Sequence, residues 1–141
     1  MEEFAPYNFT VLSYPCNQFS MQEPGANSEI LNGIKHVRPG GGYEPNFTMF
    51  EKGDVNGATA QDVWKFLTDT CKSPNPSVGV KNNLYWNNIH VDDVRWTFSD
   101  RFIVDADGVP YIRIYDPSDP YEPGGLRDDL EQYFRDGYID L

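Results

Sequence analysis

Few residues in this chain could do chemistry, and the most telling one follows an apolar run. Phe9 to Tyr14 is hydrophobic and passes into a polar loop, Ser13-Tyr-Pro-Cys-Asn-Gln-Phe19, followed by Gln22-Glu-Pro-Gly25. The loop carries the amide of Gln18, with two donor hydrogens and one acceptor oxygen. Taken alone, a glutamine after a strand is usually a loop residue that satisfies backbone. A lone Trp96 is usually core, with an indole N–H that can only donate. Cys16 and Cys71 are too few and too far apart for a disulfide scaffold or a zinc site. Cys16 reads as a small buried hydrophobe. His36 and His90 share no ligand spacing with any other residue, so no metal site is expected.

The elements that must position these groups fit one domain. The 141 residues suffice for a single core, with 9 Tyr, 9 Phe and 3 Trp to fill it. Eleven basic against 22 acidic side chains give a net charge of −11. That argues against nucleic acid or an anionic membrane as partner, because phosphate contacts need Lys and Arg. The acidity itself reads as solubility. No apolar run approaches the roughly 20 residues of a membrane span. Met1-Glu-Glu-Phe has neither the basic start nor the apolar stretch of a signal peptide. Asn8-Phe-Thr10 and Asn46-Phe-Thr48 are glycosylation sequons of a kind that arises often by chance.

Residues 9 to 14 predict a strand apolar on both faces, as a central strand would be. A helix is expected over 27 to 36, capped by Asn27 or Ser28, with Ile30, Leu31 and Ile34 on its core face. Arg38 to Pro45 holds three glycines between two prolines and reads as a loop. Phe47 to Phe50 is a short strand candidate. Thr59 can cap a second helix to about Thr70, with Val63, Phe66 and Leu67 facing inward. Lys72 to Asn83 reads as a loop. Phe102 to Val104 and Tyr111 to Tyr115 predict an antiparallel pair turned by Asp107-Gly108. An exposed loop over 116 to 125 precedes a third helix, Leu126 to Arg135, with Leu130, Tyr133 and Phe134 inward and Gly137 following it. Helices alternating with strands give an α/β sheet with helices on its faces.

Five ordered blocks resemble the glutathione peroxidase family. They are the Ser13–Gly25 block, Ser28-Glu-Ile-Leu31, Val37 to Phe47, Phe50-Glu-Lys-Gly-Asp-Val-Asn-Gly57 and Asp93-Val-Arg-Trp-Thr-Phe98. Together they cover about Phe4 to Leu130, and the second pair of blocks looks most like the secreted, plasma-type branch. The resemblance implies a thioredoxin-like fold and reduction of hydrogen peroxide or organic hydroperoxides by glutathione or another thiol, without a further cofactor. It implies that a selenocysteine or cysteine attacks the peroxide oxygen as its anion and that thiols restore it. Gln18 and Trp96 match the family residues that donate to that anion. Arg38 matches an arginine that holds the reductant, and Arg113 corresponds to another. The Pro39 to Pro45 loop implies a homo-oligomer, dimer or tetramer, and the branch implies an extracellular location ahead of a cytoplasmic one.

The departures from the family pattern are specific. Thr97 stands where the family has asparagine, so a one-donor hydroxyl replaces a two-donor amide. Losing a donor to a charged acceptor costs ~1–3 kcal/mol, roughly tenfold to a hundredfold in rate. The stretch from Trp96 to Phe102 is one residue longer than usual. Tyr115-Asp-Pro-Ser-Asp119 is acidic where the family has arginine, which disfavours anionic glutathione. Residues 28 to 38 hold no cysteine to resolve a disulfide. The family's reactive residue lies on a segment ahead of Phe9 to Tyr14, so the expectation is a selenocysteine or cysteine upstream of Met1 and a domain over 1 to 141 lacking the first strand and helix. The alternative is a catalytically silent binding or structural subunit.

Overall fold

A computed structural model describes residues 2–74, 81–115 and 126–135. The elements are β1 (Leu12–Ser13), α1 (Asn27–His36), β2 (Thr48–Met49), α2 (Asp62–Thr70), β3 (Asp100–Val104), β4 (Pro110–Tyr115) and α3 (Leu126–Arg135), with short 3-10 turns at Ala5–Tyr7 and Lys81–Asn83. The mixture of helices and strands is the α/β class expected.

β1 and β2 run parallel, with Leu12 opposite Thr48 and Ser13 opposite Met49. Parallel neighbours need a long crossover, and α1 supplies it. The strand expected over 9 to 14 shrinks to two residues, and Leu12 is 53% exposed. Its ladder has one neighbour, β2, among the described residues.

α1 forms over its expected range, but its cap differs. Ala26 takes the cap position, and its N–H donates to Glu29 Oε2 at 2.8 Å. Asn27 instead ties the helix start to the chain after β2, its Oδ1 accepting from Lys52 N at 2.8 Å. Ile30 is buried, whereas Leu31 is exposed, against expectation. At the other end Gly40 N–H and Gly42 N–H donate to Ile34 O and Lys35 O, so the loop folds back onto carbonyls the helix leaves open. That return uses positive φ at Gly40, Gly41 and Gly42, which glycine adopts without strain.

α2 begins at Asp62 behind Gln61, and Thr59 does not cap it. Thr59 Oγ1 donates to Asp54 Oδ2 at 2.6 Å instead. Its inward face runs through Trp64 and Leu67, three apart on one side of a helix. Phe66 lies off that line and is 50% exposed, which corrects its place in the core.

β3 and β4 form the expected antiparallel pair, wider by a few residues, with Phe102 opposite Arg113 and Ile103 opposite Ile112. Gly108 turns the chain at φ +83°, and Asp105 Oδ1 accepts from the N–H groups of Asp107 and Val109. Successive strand residues face opposite ways, so the hairpin serves two cores. Phe102 packs on a cluster of Cys16, Phe19, Val55, Leu84 and Val94, joined by Trp64, Trp86, Ile89 and Trp96. Ile103 packs with Phe4, Leu130 and Tyr133, which brings α3 onto the other face. Expectations for 116 to 125 and for Gly137 fall outside the described residues.

Candidate functional site

The first cluster gathers the two donors singled out in the sequence. The loop after β1 is pinned through Gly53 N–H to Pro15 O (3.1 Å) and Tyr85 N–H to Gln18 O (2.9 Å). This draws Gln18 inward to 5% exposure. Its Oε1 accepts from Val55 N (3.0 Å) and Asn56 N (2.9 Å), and its Nε2 donates to Asn56 O (3.0 Å). One Nε2 hydrogen is left over. Phe19, beside Gln18, meets the Trp96 ring edge-on at 5.8 Å and the Trp86 ring at 5.6 Å.

Asn56 continues the chain of amides. Its Nδ2 donates to Val94 O (2.7 Å) and its Oδ1 accepts from Val94 N (2.8 Å). Arg95 N–H donates to Asp100 Oδ2 (2.6 Å), so the segment carrying Trp96 and Thr97 is tied down just before the indole. Trp96 and Thr97 are half-buried, and the indole N–H of Trp96 meets no acceptor among the described residues. Beyond them Phe98 turns outward at φ +63° and 84% exposure.

Arg113 is not available to a ligand. Its side chain is 1% exposed and pairs with Asp100 Oδ1 at 2.8 Å, while Nη1 and Nη2 donate to Asp92 O (2.7 Å) and Asp93 O (2.9 Å). Its guanidinium also lies 5.1 Å from the centre of the Phe102 ring. A cation so enclosed braces the 92–100 segment. Arg38 lies exposed beyond α1, and nothing described brings it to Gln18 or Trp96.

Asn56, Asp100 and Arg95 were missed from sequence. Asn56 lies within the Phe50–Gly57 block, and nothing in spacing marks it as the partner of Val94. Arg95 is buried beneath Tyr115, with Nη2 donating to Ser73 Oγ and to Val91 O. Its Nε and Nη1 find no partner among the described residues. Asp92 accepts from Ser73 N–H at 3.0 Å. That bond, then Lys72, His90 and Arg113 nearby, holds its carboxyl below the usual range.

Cys16 Sγ lies 3.6 Å from Gln18 Oε1 and accepts from Gln18 N at 3.4 Å. Burial pushes this thiol above its ordinary pKa despite that bond, so it stays protonated and unreactive at neutral pH. Among the described residues no three His, Cys, Asp or Glu side chains gather as a metal site. No described helix is long and apolar enough to cross a membrane.

The glutathione peroxidase family profile matches residues 1–68. Over 112 residues, 79% of this chain, the chain is 54% identical to glutathione peroxidase 6 of Mus musculus, covering 50% of that protein. It is equally similar to an epididymal secretory glutathione peroxidase of Sus scrofa, covering 51% of it. Glutathione peroxidase 3 of Bos taurus is 48% identical over 114 residues, 81% of this chain and 50% of its own length. The chain therefore spans about half the length of the curated relatives it matches. The family has a thioredoxin-like fold, in keeping with the helices and small sheets seen here. With the Gln18 loop inside the matched region and about half the aligned residues identical, these likenesses support a member of the glutathione peroxidase family, of its plasma-type branch.

Proposed function

We propose that this chain forms part of a thiol-dependent peroxidase, as one glutathione peroxidase-like domain. The reaction is ROOH + 2 R′SH → ROH + H2O + R′SSR′. A selenolate or thiolate supplied by a segment ahead of β1 attacks the outer peroxide oxygen, the O–O bond breaks, and ROH leaves with a proton. Two thiols, of glutathione or another small thiol, then return the selenenic or sulfenic acid to its starting state and release water. No prosthetic cofactor takes part.

The observation that carries this reading is the gathering of Gln18 and Trp96 around Phe19 with donor hydrogens to spare. Donors aimed at an anion lower its pKa, and an indole N–H cannot accept a proton in exchange. Thr97, next in the chain, is the further candidate donor. Arg38 is the remaining candidate for holding the reductant. The name of the Sus scrofa relative supports an extracellular location, and the exposed Pro39 to Pro45 loop is the proposed contact between copies in an oligomer.

A second reading, a catalytically silent binding or structural subunit, draws on Arg113. With that cation enclosed by protein, one expected anchor for an anionic thiol is missing. The two readings part in one experiment. Protein from its natural source, of measured intact mass, is given hydrogen peroxide or cumene hydroperoxide with glutathione or dithiothreitol, and thiol loss is followed. Thiol oxidation that falls on Trp96→Phe substitution supports the peroxidase. No oxidation by a preparation whose mass includes a selenocysteine or cysteine segment ahead of β1 overturns it.

A further inference from the structure

We infer that Asn56 is a positioning residue that couples Gln18 to Trp96. The inference rests on the reading of those two residues as the site. Asn56 is 3% exposed and takes part in two back-to-back amide pairings. Through its backbone it accepts from and donates to the Gln18 side chain, at 3.0 and 2.9 Å. Through its side chain it donates to and accepts from Val94 backbone, at 2.7 and 2.8 Å. Each pairing uses two antiparallel hydrogen bonds, so each fixes orientation as well as distance. Three segments far apart in sequence, around residues 18, 56 and 94, are thereby held in one register.

The consequence for Trp96 follows from chain geometry. Val94 precedes the indole by two residues, and Asp100 holds the intervening Arg95 N–H. Two successive peptide groups are thus clamped, which leaves the backbone at Trp96 little freedom. The clamp is one-sided. Gln18 uses only Asn56 backbone, so shortening the Asn56 side chain frees Val94 and leaves the Gln18 bonds in place. Misplacing a site group by about 1 Å costs on the order of a hundredfold in rate.

The test labels the protein with 5-fluorotryptophan, which gives one fluorine resonance each for Trp64, Trp86 and Trp96. Each is assigned by its Trp→Phe variant. In Asn56→Ala the Trp96 resonance is expected to move or broaden more than that of Trp64. Asn56→Asp keeps an acceptor for Val94 N–H and is expected to move it less. A Trp96 resonance unmoved in folded Asn56→Ala overturns the inference. Should that variant fail to fold, Asn56→Leu, which fills the site without bonding Val94, decides, and an unmoved Trp96 resonance there overturns it equally. In an active preparation the expected companion is a fall in kcat of roughly tenfold to a hundredfold with the thiol KM unchanged. Loss through general destabilisation would instead lower the melting temperature and leave the Trp96 resonance in place, which counts against positioning. An inactive preparation with a displaced Trp96 resonance overturns the peroxidase and leaves the coupling standing.

Discussion

Gln18 works inside the protein as well as toward any bound anion. Its Oε1 satisfies two backbone N–H groups that water does not reach. Gln18→Ala is expected to orphan both and to cost on the order of 2–4 kcal/mol, read from the urea midpoint. A loss under about 0.5 kcal/mol would mean the loop rearranges to satisfy them. Cys16 illustrates the other half of residue-scale control. Burial raises its pKa, so the thiol form is the one the fold prefers. Its contribution to stability is therefore complete below the ordinary thiol pKa of about 9 and is lost as pH rises toward the higher folded value. Cys16→Ala should flatten the alkaline decline in stability, although Tyr14 and Tyr133, also raised by burial, retain part of it. Iodoacetamide should label half-buried Cys71 first and Cys16 only on unfolding, as peptide mass mapping would report.

Elements set which of these side chains can matter. The inward line of α2 passes through Leu67, so Leu67→Ala is expected to cost about 2–4 kcal/mol in thermal or urea unfolding. Phe66→Ala, on the exposed side, should change stability by less than about 1 kcal/mol. A larger loss at Phe66 than at Leu67 would return Phe66 to the core face. In the β3–β4 hairpin, Asp100, Phe102 and Arg113 share one face and brace the Trp96 segment from below. Arg113→Ala leaves Asp100 as a buried charge without its partner, at a cost of about 3–5 kcal/mol. Arg113→Met with Asp100→Asn should recover much of that loss in a double-mutant cycle. A purely ligand-binding Arg113 would show a raised thiol KM at unchanged stability, the outcome that contradicts its bracing role.

At the scale of the whole molecule the charge of −11 acts against compactness. The Debye length falls from about 30 Å at 0.01 M salt to about 8 Å at 0.15 M, so added sodium chloride should raise the melting temperature. The Arg113–Asp100 pair, with side chains 1% and 0% exposed, is shielded from that screening. A melting temperature that falls with salt would mean that surface pairs such as Arg127 with Glu3 outweigh the repulsion. The two cores meet across β3, where Phe102 faces one and Ile103 the other.

Much of this was legible in the chain itself. α1 and α3 stand where apolar spacing put them. The Asp107-Gly108 turn fell where only glycine tolerates the backbone, and the ordered blocks carried the family. Local physics decides such features, since helical period, turn chemistry and motif order need no distant partner. What sequence could not decide depended on neighbours brought from elsewhere. The exposure of Leu12, Leu31 and Phe66 was set by which faces other segments cover. The enclosure of Arg113 needed Asp100 from the facing strand and two carbonyls about twenty residues away. The pairing of Asn56 with both Gln18 and Val94 joins segments 38 residues apart in each direction. Only the folded chain closes those distances, because a hydrogen bond has a range of about 3 Å and carries no trace in sequence spacing.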